Sequence, residues 1–170
     1  MQTTTLKLYS LGYTQMKAYL VAIAFVAGNI ILPQVCHLIP QGGLIFLPIY
    51  FFTLIGAYKY GWKVGILTAV FSPVINHLLF GMPVLTVFPA ILIKSVILAL
   101  AAGFAATYFK RISIPLLALV ICFYQILGSL IEWSMVGNFF TATQDIRIGI
   151  IGMLFQVFGG YFIIKYLLKK

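Results

Sequence analysis

Hydrophobic residues occupy this chain in long unbroken stretches, without the strict alternation of a half-buried strand. Six apolar runs fall at about 18–33, 44–58, 64–80, 84–109, 113–136 and 146–168. The breaks between them are short and rich in Pro, Gly, Lys and Arg: Pro33 to Gly43, Lys59 to Lys63, Gly81 to Pro83, Lys110 with Arg111, and Gly137 to Asp145. A helical bilayer crossing needs roughly 20 predominantly apolar residues. The pattern therefore predicts an all-α, polytopic membrane bundle of six transmembrane helices, folded as one domain over residues 1–170. A membrane β-barrel would need alternating apolar and polar positions, and these runs are continuous.

Composition narrows the class further. The chain has 170 residues, 63% hydrophobic and 8% charged, whereas a soluble domain is typically about 25% charged. That excludes a water-facing fold. No polar block is long enough to form a separate catalytic or nucleic-acid domain, so the net charge of +9 is read as loop charge. No nucleic-acid partner is expected.

The basic residues then orient the helices. Lys7 and Lys17 precede the first run; Lys59 and Lys63 fill the second break, Lys110 and Arg111 the fourth, and Lys165, Lys169 and Lys170 close the chain. The remaining breaks hold no Lys or Arg, and Arg147 lies just past the fifth. Positive charge marks cytoplasmic loops, so the alternation predicts that both termini are cytoplasmic. The first run is read as a span, because no small-x-small cleavage site follows it. Cys36 and Cys122 form no pattern.

Polar side chains are costly in lipid, so their placement is informative. Most fall at the predicted outer ends: the 34–43 connection, Ser72 to His77, and the stretch from Glu132 through Asn138 to Arg147. Gln125, Ser129 and Glu132 recur at i, i+4 and i+7 and so share one helical face beside Gly128. Gly149, Gly152, Gln156 and Gly160 make a similar stripe in the last run. Lys94 lies ten residues into the fourth run, roughly 15 Å deep at 1.5 Å per residue. It is expected either to hold an anionic ligand group or to form a structural ion pair with Glu132. Asn76, His77 and Asn138 are candidate pocket hydrogen-bonders, and Trp133 is a candidate stacking surface. Replacing Lys94 by Ala is expected to weaken binding and leave the bundle folded.

Catalytic patterns are missing. There is no GxSxG, HExxH or Walker A sequence, and no HxxxH or CxxC spacing that would hold a metal. No enzyme activity, metal or cofactor is expected. Small residues repeat at four-residue spacing in Ala18-xxx-Ala22, in Gly61-xxx-Gly65 and through the alanines after Lys94. Such spacing allows close helix packing, within the bundle or with another membrane subunit.

With its length, six predicted helices, Ala18-xxx-Ala22, and the stretches Gly56-Ala57-Tyr58-Lys59-Tyr60-Gly61 and Pro73-Val74-Ile75-Asn76-His77 followed by Pro89, the chain resembles the substrate-binding S components of energy-coupling factor (ECF) transporters. The resemblance implies a prokaryotic plasma-membrane subunit that captures a vitamin or similar micronutrient near the outer face. It also implies a transmembrane coupling subunit, docked at Ala18 and Ala22, and two ATPase subunits. Two other classes fit the same outline: a non-transport six-helix scaffold of the rod-shape-determining type, and a small lipid-acting membrane enzyme.

Overall fold

The computed structural model describes residues 8–168, with side chains through Tyr166. Met1 to Lys7, Lys169 and Lys170 lie outside the described residues, so the contributions of Lys7, Lys169 and Lys170 to orientation lie there too. The described residues form helices and connecting turns, with no strand. The helices are α1 (Met16–Cys36), α2 (Gly42–Phe46), α3 (Phe51–Tyr60), α4 (Trp62–Phe80), α5 (Phe88–Phe109), α6 (Ile114–Val136), α7 (Phe139–Ala142), α8 (Gln144–Ile148) and α9 (Ile150–Leu168). Four of them, α1, α4, α5 and α6, are long and apolar enough to cross a membrane.

Two of the six apolar runs depart from a single continuous helix. The run at 44–58 is broken between α2 and α3, because Leu47 takes a left-handed backbone (φ 47°) and Pro48 then opens a single 3-10 turn to Tyr50. Proline lacks the amide hydrogen that would continue α2. The last run begins as α8 and becomes a long helix only at Ile150. The 34–43 connection is largely structured: its first residues extend α1 through Pro33 to Cys36, and Gly42 starts α2.

α3 is the axis of the bundle although it has only ten residues. Eight of those ten, Phe51 and Thr53 through Lys59, are buried. It packs against α1, α4, α5 and α9, which with α6 surround it, and α2 bridges α9 to α1. The surface is large and apolar: Leu78, Tyr108, Leu85, Phe140 and Phe104 are each more than 60% exposed. Buried positions, by contrast, are rich in Ala, Gly and polar side chains. This inversion suits a lipid environment, where close packing of small residues and interhelical hydrogen bonds replace the hydrophobic effect.

The small residues serve internal contacts. Ala18 is fully buried and Ala22 is 4% exposed, clustered with Leu11 and Val64. A Cβ added to Gly65 would stand 2.4 Å from Ala57 Cβ and 3.1 Å from Ala99 Cβ, so α4 meets α3 and α5 almost backbone to backbone. Asn29 joins three helices: its amide donates to Thr53 Oγ1 and Ser72 Oγ, each at 3.1 Å, and accepts from the Phe52 amide.

One end of the bundle collects basic and aromatic residues. Tyr9 N donates to Lys59 O at 3.1 Å, Lys17 and Lys59 both lie over the Tyr9 ring, and Lys63 lies over Tyr13 and Trp62. Tyr58 reaches the Arg111 carbonyl from the same end. Lys17, Lys59 and Lys63, three of the residues assigned to the cytoplasmic side, thus gather around one group of aromatic rings.

Gly65→Val is expected to lower the thermal midpoint followed by circular dichroism in detergent, since overpacking costs about 1–3 kcal/mol. An unchanged midpoint would contradict the close α3–α4–α5 contact.

Candidate functional site

The buried ammonium of Lys94 organises the opposite end. Lys94 is the seventh residue of α5, whose helix begins only at Phe88. Its Cα therefore sits about 9 Å below the helix start at 1.5 Å per residue, nearer the surface than a helix starting at Val84 would place it. The Lys94 side chain passes over Gly128, where an added Cβ would come within 2.5 Å of Lys94 Cγ. Only glycine at this point lets the lysine stem lie against α6 and reach its carboxylate.

Both acidic residues of the chain converge on this ammonium. Nζ lies 2.6 Å from Glu132 Oε2 on α6 and 2.7 Å from Asp145 Oδ2 on α8. It donates an aligned hydrogen bond to Asp145. The approach to Glu132 Oε2 is an ion pair at least as close, so the same ammonium engages both carboxylates. The three side chains are 1%, 10% and 16% exposed, enough burial to strengthen their mutual attraction relative to water. The structural-pair expectation for Lys94 and Glu132 is thus realised, with Asp145 as a third member. Its positive charge is already matched, which removes the basis for expecting an anionic ligand group at Lys94.

Unpartnered hydrogen-bonding groups lie along the α6 face of Glu132 and on the turn that carries Tyr50. Gln125 and Ser129 share the α6 face of Glu132, and neither the Gln125 amide nor Ser129 Oγ has a hydrogen-bond partner. The Gln125 amide comes near the Tyr124 hydroxyl without the alignment of a bond. The Tyr50 hydroxyl, from the turn after the Leu47 break, is buried without a partner and lies within electrostatic reach of Asp145 and Glu132. Its ring tilts against Tyr124 with centroids 5.4 Å apart. Tyr124 itself is satisfied, donating to Gln156 Oε1 at 3.0 Å. Gln156 in turn donates to Leu47 O. Ser95 Oγ is also unpartnered, but it lies a further 100° or so around α5 from Lys94. Buried polar groups are normally bonded, and leaving one unmade costs about 1–3 kcal/mol. Several together form an unsatisfied polar surface inside the bundle.

The last-run stripe acts differently. An added Cβ at Gly152 would lie 2.4 Å from the Phe46 carbonyl carbon, and one at Gly149 2.6 Å from Leu47 Cδ1. These glycines seat the broken second run directly on α9, and that seating brings Tyr50 to the triad.

Of the residues singled out from sequence, Lys94, Gln125, Ser129 and Glu132 come together. The other four lie elsewhere. Asn76 donates to the carbonyls of Asn29 and Ser72, each at 2.9 Å, and joins the α1–α4 network. His77 Nδ1 is 2.8 Å from Pro83 O and its ring packs near Phe88, holding the α4–α5 turn. Trp133 is 45% exposed and meets Phe139 edge-on. Asn138 caps α7 by accepting from Thr141 N. Asp145, Tyr50, Tyr124 and Gln156 were not singled out as site residues. Asp145 was nevertheless signalled: a buried lysine needs carboxylates, and the chain has only two.

Comparison with known proteins returned no match among family models, curated proteins or solved structures.

Removing the ammonium would leave two carboxylates buried side by side, and breaking a buried pair typically costs about 3–5 kcal/mol. Lys94→Ala is therefore expected to destabilise the bundle strongly, contrary to the expectation from sequence. The triple replacement Lys94→Met, Glu132→Gln, Asp145→Asn should recover most of the lost thermal midpoint. Equal midpoints for wild type and Lys94→Ala would show that the triad is not a stabilising unit.

Proposed function

We propose that this chain is the membrane-embedded, substrate-binding subunit of an ECF-type importer in a prokaryotic plasma membrane. It captures a small polar micronutrient, such as a vitamin, for uptake driven by a transmembrane coupling subunit and two ATPase subunits. The observation that carries the reading is the buried triad together with unpartnered buried groups on Gln125, Ser129 and Tyr50. A scaffold gains nothing from such groups, whereas a ligand with several hydrogen-bonding atoms would satisfy them.

The position of the cluster also supports binding from outside. It occupies the end opposite Lys17, Lys59, Lys63 and Arg111, which the positive-inside rule assigns to the cytoplasm. An enzymatic reading fares less well: His77 is engaged with Pro83 O and Ser72 accepts from Asn29, so these two do not pair as base and nucleophile.

Under this reading the coupling subunit docks on the apolar groove between α1 and α4. The groove encloses about 420 Å³ and is lined by Tyr19, Ala22, Ile23, Val26, Ala27 and Phe71, among others. Ala22 forms part of its wall, while Ala18 is enclosed by the bundle.

Gentle purification followed by mass spectrometry should find one polar micronutrient at near-stoichiometric occupancy, lost on Asp145→Asn or Glu132→Gln. A folded protein that carries and binds no small molecule would overturn the proposal. Ala27→Trp in the groove is expected to leave substrate binding intact and to cut coupled uptake by at least about tenfold, the scale expected for a bulky residue at an interface core.

A further inference from the structure

Counted with both acids ionised, the triad is one positive charge short of neutral. Lys94 contributes one positive charge against the two carboxylates of Glu132 and Asp145. Arg147, two residues beyond Asp145, does not supply the missing one: its guanidinium donates to Phe140 O at 2.7 Å and stacks on the Phe140 ring at 3.4 Å. His77 is likewise occupied at the α4–α5 turn. A net negative charge held in a low-dielectric surrounding is unfavourable until a positive charge joins it.

The groups around the triad suit a positive visitor. Gln125 Oε1, Ser129 Oγ and Tyr50 Oη are buried with acceptor capacity unused. The rings of Tyr50 and Tyr124 pack against each other within electrostatic reach of Asp145, and aromatic faces attract cations. Lys94 is then a positioning residue, holding the two carboxylates together while cancelling only one of them. An anionic ligand would instead double the excess negative charge.

We infer that the site takes an organic cation, of the protonated-amine or quaternary-ammonium class, whose charge completes the neutralisation of Glu132 and Asp145. This rests on the substrate-binding reading above and specifies its ligand. The full chain in lipid nanodiscs is challenged with a desalted polar metabolite extract, separated by ion exchange into cationic, neutral and anionic fractions, and its thermal midpoint is read. The cationic fraction alone should raise the midpoint. Asp145→Asn, or Glu132→Gln if the first variant does not fold, should weaken that response at least about tenfold in concentration.

Stabilisation by the anionic or neutral fraction would overturn the charge assignment and leave the binding reading standing. Stabilisation by sodium or potassium chloride alone would overturn the organic assignment. No response to any fraction would remove the binding reading together with this inference. A full response retained in a folded Asp145→Asn protein would also overturn it.

Discussion

An ammonium cannot sit bare in hydrocarbon, and each buried ion costs several kcal/mol unless it is paired and hydrogen-bonded. In this protein that constraint falls on Lys94, and the chain has two carboxylates with which to meet it. Glu132 comes from the adjacent helix, reached because residue 128 has no side chain to hold α5 away. Asp145 comes from a five-residue helix in the connection between α6 and α9. Together they fix how α5, α6 and α8 stand to one another at this end. The rest of the site follows: α9 begins directly after α8, its glycines seat the broken second run, and Tyr50 arrives beside the carboxylates.

The opposite end is built on other physics. There the chain uses cation–aromatic contacts and backbone hydrogen bonds between the segment before α1 and the turn between α3 and α4. Between the two ends, α1, α3 and α4 are joined by the Asn29 network and by glycine- and alanine-mediated contacts. The interior is therefore held by directional and close-packing interactions, while the bulky apolar side chains point outward.

Much of this was legible in the sequence, for identifiable reasons. The run 113–136 became α6 almost residue for residue, because Ser113 caps it by accepting from Leu116 N and Gly137 ends it in a left-handed turn. Helical spacing also sufficed to put Gln125, Ser129 and Glu132 on one face. The partnership of Lys94 with Asp145 spans 51 residues and passes through two short irregular helices, which periodicity does not reach. The break at Leu47 was hidden by hydropathy, since a left-handed leucine is as apolar as a helical one; Pro48 was its only visible sign. Asn76 and His77 were chosen for their chemistry, yet each has an internal partner that only the packing of α1 and the α4–α5 turn supplies. Asn29, whose side chain makes three hydrogen bonds to α3 and α4, carries no signal in the sequence because it stands alone in an apolar run.

The shortness of α3 has an electrical consequence. Its ten residues span about 15 Å, half of a hydrocarbon layer about 30 Å thick. In series with it along the bundle axis comes the 3-10 turn carrying Tyr50, beside the ionised triad. In a bilayer, the rest of that axis is thus filled by this turn and by the buried triad side chains. The three side chains at that end therefore lie within the low-dielectric interior, and a voltage applied across the membrane would act on their charges through the part of its drop between them and the nearer solution.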